Sequence, residues 1–282
     1  MKINILDHNR VLNLLPDRSI NVHKGNLGRI LLLCGSKGYT GAAALAATGA
    51  LRSGAGIVYL AVPECIYEIE AVKLTEPVIL PLPQYNGTYS VDAIPKIQTL
   101  LEGKQAVLVG PGIGQSDGSG AVVRAVLESF QGPVVLDADG INVIVQHKDL
   151  LRGRTSPTIL TPHVGEFLRI GGRLTDDRIA SAAALAQDLG VIVLLKGHGT
   201  IVTDGTTHFY NPTGNPGMAT GGSGDVLAGI ITALIGQGLP PLEAAACGAW
   251  LHGAAGDICA KEIGQYGMLP SDMLNVLPRL LK

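Results

Sequence analysis

Arg29-Ile30-Leu31-Leu32-Leu33-Cys34-Gly35-Ser36-Lys37-Gly38 decides the fold. A half-exposed strand alternates apolar and polar residues, whereas the run from Ile30 to Cys34 is apolar at every position. Such a strand is covered on both faces, as in a parallel sheet sandwiched between helices. The run ends in a glycine-punctuated polar turn. An Ala-rich helix is predicted next, over residues 41–52, and a second apolar strand over 56–62, which makes a β-α-β unit. Further apolar strands read at 78–80, 106–109, 134–136, 158–160 and 191–195, with helical spacing at 121–130, 164–170 and 176–189 between several of them. The rhythm predicts an α/β fold, a mostly parallel central sheet with helices on both faces. Residues 200–210 read as a hairpin around Asp204-Gly205, and helices follow at 225–236, 241–262 and 271–280. No linker, repeat or low-complexity tract intervenes, so residues 1–282 read as one domain, although length alone allows two.

Composition excludes several classes of function. The formal net charge is −2 with no basic stripe, which argues against nucleic acid as the main partner. An anionic ligand must then be held by local N–H groups and a few cations. The longest apolar runs are strand-length or broken by glycine, so no membrane span is expected. Lys2, Asp7 and Arg10 leave no apolar stretch for a signal peptide, which points to the cytoplasm. Cys34, Cys65, Cys247 and Cys259 form no C-x-x-C pair and sit among apolar residues, the pattern of reduced, buried thiols.

In a parallel sheet, ligands gather outside the carboxyl ends of the strands. Here those ends carry Gly35-Ser36-Lys37-Gly38, Gly110-Pro111-Gly112-Ile113-Gly114, Asp137-Ala138-Asp139, Thr161-Pro162-His163-Val164-Gly165-Glu166 and Lys196-Gly197-His198-Gly199-Thr200. Glycines punctuate most such turns. Five ends delivering Gly, Asp, His or Lys to one edge are harder to attribute to turn chemistry. The densest segment is Thr220-Gly221-Gly222-Ser223-Gly224-Asp225, which runs into the helical pattern of Val226, Leu227, Ile230, Ile231 and Leu234. A glycine turn feeding a helix N-terminus aims several amides at one point and suits a phosphate or a developing oxyanion. Asp225 at that point reads as a proton acceptor. The plain alternative is an N-capping aspartate in an ordinary glycine-rich loop.

These segments, with His23-Lys24-Gly25-Asn26-Leu27-Gly28, Gly41-Ala42-Ala43, Leu51-Arg52-Ser53-Gly54-Ala55-Gly56 and Asn211-Pro212-Thr213-Gly214-Asn215, resemble the NAD(P)H-hydrate dehydratase family of the ribokinase-like superfamily. The likeness runs in order from about residue 10 to the C-terminus. It implies a ribokinase-like three-layer sandwich without a separate lid domain. It also implies dehydration of the S form of hydrated NADH or NADPH at the expense of ADP or ATP, with ADP favoured, and Mg2+ at the phosphates. Asp225 would be the general base. Ala42, Gly112, His163 and Asp225 would contact the substrate, and Lys196, Gly197, His198, Gly199, Thr200 and Gly224 the nucleotide. No metal-ligating residue is singled out. Asp137 and Asp139 either approach the magnesium or cap turns, and Glu166 either meets ligand or caps a helix. His8, His147, His208 and His252 are read as structural or surface residues. The resemblance also implies a homotetramer and a separate NAD(P)H-hydrate epimerase, because no epimerase module precedes this one. A kinase of hydroxymethylpyrimidine or hydroxyethylthiazole is the nearest alternative, and Thr161–Glu166 argues against it. A nucleotide-binding regulator with a decayed site is the other, opposed by the intact Asp225.

Overall fold

The computed structural model describes every residue except Met1, Asp17, Ser19 and Lys282. Twelve strands and twelve α-helices are found among the described residues. The strands are β1 (Ile3–Ile5), β2 (Arg29–Leu33), β3 (Ile57–Pro63), β4 (Val78–Leu82), β5 (Gln84–Tyr85), β6 (Thr88–Tyr89), β7 (Ala106–Val109), β8 (Val134–Leu136), β9 (Thr158–Leu160), β10 (Ile192–Leu195), β11 (Thr200–Thr203) and β12 (His208–Asn211). The helices are α1 (His8–Leu14), α2 (Thr40–Arg52), α3 (Tyr67–Lys73), α4 (Ile94–Leu101), α5 (Asp117–Ser129), α6 (Asp139–Ile144), α7 (Asp149–Arg152), α8 (Val164–Arg169), α9 (Arg178–Leu189), α10 (Ser223–Gly236), α11 (Pro241–Glu262) and α12 (Pro270–Val276).

Ten strands form one sheet in the order β1-β12-β11-β10-β9-β8-β7-β2-β3-β4, and β5 and β6 make a separate two-stranded ribbon. From β10 to β4 every neighbouring pair is parallel. The β10-β11-β12 meander is antiparallel, and β1 closes the edge parallel to β12. The order of the strands across the sheet reverses direction between β2 and β7, the switch point at whose carboxyl ends such sheets form a ligand crevice.

The apolar run of β2 serves both faces, as its pattern requires. Ile30 and Leu32 join the core beneath α2, α10 and α11, whereas Leu31 and Leu33 join the core beneath α4 to α9. Helices α2 and α10 cross backbone to backbone. A Cβ on Gly49 would lie 2.8 Å from the Val226 carbonyl oxygen, and one on Gly229 would collide with the Ala46 carbonyl. The glycines that weaken these helices locally let them approach closely and set the start of α10 over the sheet's carboxyl edge.

Several boundaries differ from the sequence reading for local reasons. Helix α5 begins at Asp117 rather than 121 because Ser116 Oγ accepts from the Ser119 amide. Asp177 caps α9 in the same way. Cys65 is exposed, contrary to the expectation of four buried thiols, because it lies on the turn Glu64–Ile66 that joins β3 to α3. Among the described residues, no helix is long and apolar enough to cross a membrane.

Candidate active site

The loops after β2 and β7 are laced together across the crevice. The Gly35 amide donates to the Pro111 carbonyl at 2.7 Å, and Ser36 Oγ donates to the Gly112 carbonyl at 2.7 Å. Gly112 has φ +63°, and a Cβ there would lie 2.8 Å from Tyr39 Cβ and 2.9 Å from Ala42 Cβ. Ala42, in the first turn of α2, therefore lies against Gly112, which has no room for a side chain unless its neighbours move.

The turn after β8 is strained. Ala138 sits at φ +48°, ψ −117°, a conformation that L-residues avoid. Its surroundings hold it there: a Cβ on Gly110 would run into the Asp137 carbonyl, and one on Gly140 would lie 2.5 Å from the Val109 carbonyl oxygen. Strain of this kind costs about 1–3 kcal/mol and tends to be kept at working sites. The turn sends its two carboxylates to different partners. Asp139 accepts from the Gly114 amide and from Gln115 Nε2, both at 3.0 Å, so it fastens the loop after β7. Asp137 Oδ1 accepts from Thr161 Oγ1 at 2.7 Å and Lys196 Nζ at 2.8 Å. Asp139 is thus the turn-forming residue of the pair, and Asp137 faces the site.

Lys196 leaves the end of β10 with its side chain only 21% exposed. Its ammonium is 3.9 Å from Glu166 Oε2 and would be 3.3 Å from a Cβ on Gly224; Asp137 Oδ2 would be 3.7 Å from that same atom. Burial alone would lower the lysine's pKa, but the charges of Asp137, Glu166 and Asp225 outweigh it and hold the ammonium above its usual value. A fixed cation therefore rests against the first turn of α10.

That turn opens with Gly222 at φ +95°. Among the described residues, the Gly224 and Asp225 amides have no acceptor, as the start of a helix leaves them. Asp225 is half-buried. Burial, then the charge of Asp137, pushes its carboxyl up to about 6, with Lys196 pulling the other way. An acid of that strength is ionised near neutrality yet basic enough to take a proton.

His163 caps α8. Its Nδ1 accepts from the Gly165 amide at 2.9 Å and the Glu166 amide at 3.3 Å, and Glu166 Oε2 accepts from the His163 amide at 2.9 Å. Glu166 is a buried capping residue, which decides between its two readings. The His163 ring stays 59% exposed, with its Nε2 3.4 Å from Glu166 Oε1.

A cleft of about 800 Å3 opens beside α10 and gathers His163, Lys196, Gly197, His198, Thr200 and Gly224. Gly199 turns at φ +66° with the Tyr210 ring where its side chain would be, and does not line the cleft. Ala42 and Gly112 lie instead at the β2/β7 crevice, and Asp225 also lies outside the lining. Its carboxyl is close enough to the end of β2 to raise the buried Cys34 thiol, behind burial as the main cause. The expected residues thus divide into a nucleotide-sized cleft and a crevice, with Asp225 coupled to the Asp137–Lys196 pair.

Sequence reasoning missed His252. It is buried on α11, lines the cleft, and its Nε2 is 3.3 Å from Ser223 Oγ. Burial drives its imidazole down to about 4, so the ring is neutral. A signal was present in Gly253 and Gly256, whose missing side chains admit Thr213 and Met218 against the helix. Asp257 completes the junction by accepting from the Gly214 amide and Asn215 Nδ2, both at 3.0 Å. Among the described residues, no group of three or more His, Cys, Asp or Glu side chains is clustered to hold a metal ion.

The family model for NAD(P)H-hydrate dehydratase matches residues 30–279. The bifunctional NAD(P)H-hydrate repair enzyme of Moorella thermoacetica is 44% identical over 275 residues, covering 95% of this chain and 52% of that protein. The chain spans about half the length of the curated relatives it matches. The ADP/ATP-dependent NAD(P)H-hydrate dehydratase of Bacillus subtilis, co-crystallised with ATP and Mg2+, has a TM-score of 0.85 at 31% identity, covering 99% of this chain and 98% of that one. A ribokinase-like superfamily protein from Enterococcus faecalis gives a TM-score of 0.88 at 26% identity over 99% and 95%. The fold is ribokinase-like, and the chain belongs to the NAD(P)H-hydrate dehydratase family.

Proposed function

We propose that this chain dehydrates the S form of hydrated NADH or NADPH, using ADP and releasing AMP and phosphate. The observation that carries the reading is a convergence at the start of α10. Two amides without acceptors, the Lys196 ammonium and a carboxyl raised to about 6 meet there beside a cleft sized for a nucleotide. Phosphoryl transfer asks for positioning and charge neutralisation more than covalent help.

In this reading the nucleotide occupies the cleft along Lys196, Gly197, His198 and Thr200, with Gly199 shaping their turn. Its terminal phosphoryl group lies against Gly224 and the α10 amides, which stabilise charge as it forms. The hydrated ring lies in the crevice against Ala42 and Gly112, with His163 reaching it from the rim. Asp225 takes the proton from the ring hydroxyl as its oxygen bonds to phosphorus and the bond to the departing AMP oxygen breaks. The ring nitrogen's lone pair then expels phosphate with cleavage of the C–O bond, and loss of a proton from the adjacent carbon restores the double bond. The substrate loses water overall, and its oxidation level does not change.

Mg2+ fits the donor set sparingly. Asp137 Oδ2 faces the Gly224 turn, whereas Asp139 is occupied by its loop. Asp137 would hold the ion, which keeps its waters and phosphate oxygens as its other ligands. When bound it supplies charge neutralisation at the phosphates.

The proposal extends to one catalytic domain over residues 1–282, working in the cytoplasm as a homotetramer. Its partner activity is an NAD(P)H-hydrate epimerase; in support, the relatives are named as bifunctional NAD(P)H-hydrate repair enzymes, and this chain covers only 52% of the first of them. The test is direct. Protein, ADP, Mg2+ and hydrated NADH are expected to give NADH, AMP and phosphate in equal amounts, read by the reduced-nicotinamide absorbance with phosphate measured in parallel. Nucleotide consumption with hydroxyethylthiazole, and no NADH from its hydrate, would instead make the chain a kinase.

A further inference from the structure

We propose that His252 is a positioning residue that holds the Ser223 hydroxyl as a third hydrogen-bond donor to the phosphoryl group at the start of α10. The proposal rests on the nucleotide reading of the cleft given above. Ser223 is the first residue of α10, and its amide is drawn back toward the Thr220 carbonyl at 3.4 Å. What it offers the cleft is its side chain. Ser223 and His252 are both buried, both line the cleft, and their Oγ and Nε2 lie 3.3 Å apart.

A hydroxyl has one proton to give. If that proton points to Nε2, the serine can only accept, and its lone pairs oppose an anion. If Nε2 carries the imidazole proton and donates it to Oγ, the hydroxyl proton is free to point into the cleft. A neutral imidazole permits either arrangement, whereas the doubly protonated ring would add a charge to a buried site already holding Lys196. A phosphoryl oxygen selects the second arrangement, because the hydroxyl then makes a charge-assisted hydrogen bond. The chain of donors runs from Nε2–H to Oγ and from Oγ–H to the phosphoryl oxygen. No proton changes hands.

The position of the ring is fixed from α11, not from the glycine turn itself. Asn211 Nδ2 donates to the Ala249 carbonyl at 3.0 Å and Thr213 Oγ1 to the Trp250 carbonyl at 3.1 Å. These bonds bind the helix turn just before His252 to the wall of the same cleft. His252 is therefore held by the scaffold that shapes the cleft and reaches across to the α10 turn.

Calorimetry with ADP and AMP tests this, because the difference between them isolates the terminal phosphate. Ser223→Ala and His252→Ala are expected to weaken ADP by roughly ten- to a hundredfold, the range for a hydrogen bond to a charged group, and to leave AMP near its wild-type affinity. The double variant should be no worse than either single one, and His252→Gln, whose amide can still donate to Oγ, should recover most of the loss. Equal weakening of ADP and AMP, or additive losses in the double variant, would overturn the proposal in favour of a packing role. Should His252→Ala not fold, an unchanged ADP-to-AMP ratio in Ser223→Ala overturns it as well. Failure of the wild-type protein to regenerate NADH would overturn the functional reading and leave this nucleotide measurement to be judged separately.

Discussion

Around the α10 turn, side chains do the holding: Lys196 on Asp137, Thr161 on Asp137, Ser223 on His252. Around the β2/β7 crevice, glycines admit their neighbours, with Gly110 against the Asp137 carbonyl, Gly140 against the Val109 carbonyl, and Gly112 against the Cβ atoms of Tyr39 and Ala42. The first half concentrates charge where a phosphoryl group would pass. The second excludes bulk where a ring would lie. A site divided this way should respond to substitution in two separable modes, one electrostatic and one steric.

The sharpest break is expected at Asp225, where the modes meet. Asp225→Asn keeps the shape and removes the proton acceptor, so turnover should fall by roughly 10²–10⁴-fold, the usual worth of a general base. ADP affinity should hold or rise, because a negative charge leaves the phosphate site. Steady-state turnover alongside ADP calorimetry checks both halves, and near-wild-type turnover would remove Asp225 from the mechanism.

A crossed pair of substitutions then separates the halves. Ala42→Leu fills the crevice and should lower kcat/KM for the hydrate about tenfold or more through misplacement, with ADP binding unchanged. Gly224→Val puts branched carbon against Lys196 Nζ, 3.3 Å from the first added atom, and into the phosphate position. ADP affinity should drop roughly tenfold, the worth of about one lost phosphate contact. If each variant disturbed both ligands equally, the division of the site would be wrong.

How legible these halves were follows from how each is built. The steric half is written in glycines next to strand ends, so Gly110, Gly112 and Ala42 stand out in the chain. Helix α11 is legible with its observed bounds because Pro241 opens it and no proline interrupts it before Glu262. Strand β1 went unread, since three residues carry no pattern and its partner is β12, far along the chain. Strands β5 and β6 and the short helices α1, α3, α4, α6 and α7 are also absent from the sequence reading. The electrostatic half depends on meetings between distant segments. Nothing local says that Lys196 ends on Asp137, or that His252 faces Ser223; only the parallel sheet and the α10–α11 packing bring them together. In the sequence Glu166 and Asp139 each carry two readings, because a carboxylate near a turn looks the same whether it caps or binds.

A smaller effect concerns pH. Turnover should lose its acid side as Asp225 protonates, with a midpoint near 6. Lys196 favours the ionised form, so Lys196→Met should move that midpoint upward by roughly one unit, within the range for a lost neighbouring charge. The position of the limb is the readout, since the height of the profile will fall anyway. An unmoved midpoint would place Lys196 outside the electrostatic half.

The smallest expected effect is on stability, and its sign is opposite to that on activity. The folded-state pKa of Asp225, about 6, lies above the ordinary carboxyl value of 3.8. Ionising the group therefore costs the folded protein more than the unfolded one. The cost is absent below the unfolded value, grows between the two values and is complete above about 6. Asp225→Asn removes a charge that the folded state disfavours. Two pKa units correspond to about 3 kcal/mol, but partial solvent access and the loss of Lys196 as a partner reduce the gain to about 1 kcal/mol. Protein free of nucleotide and metal should show a higher Tm for the variant at pH 8. At a pH just below the ordinary carboxyl value the two proteins should melt together. A variant less stable than wild type at pH 8 would mean that the folded site favours the charge on Asp225, and the burial argument for its basicity would fall with it.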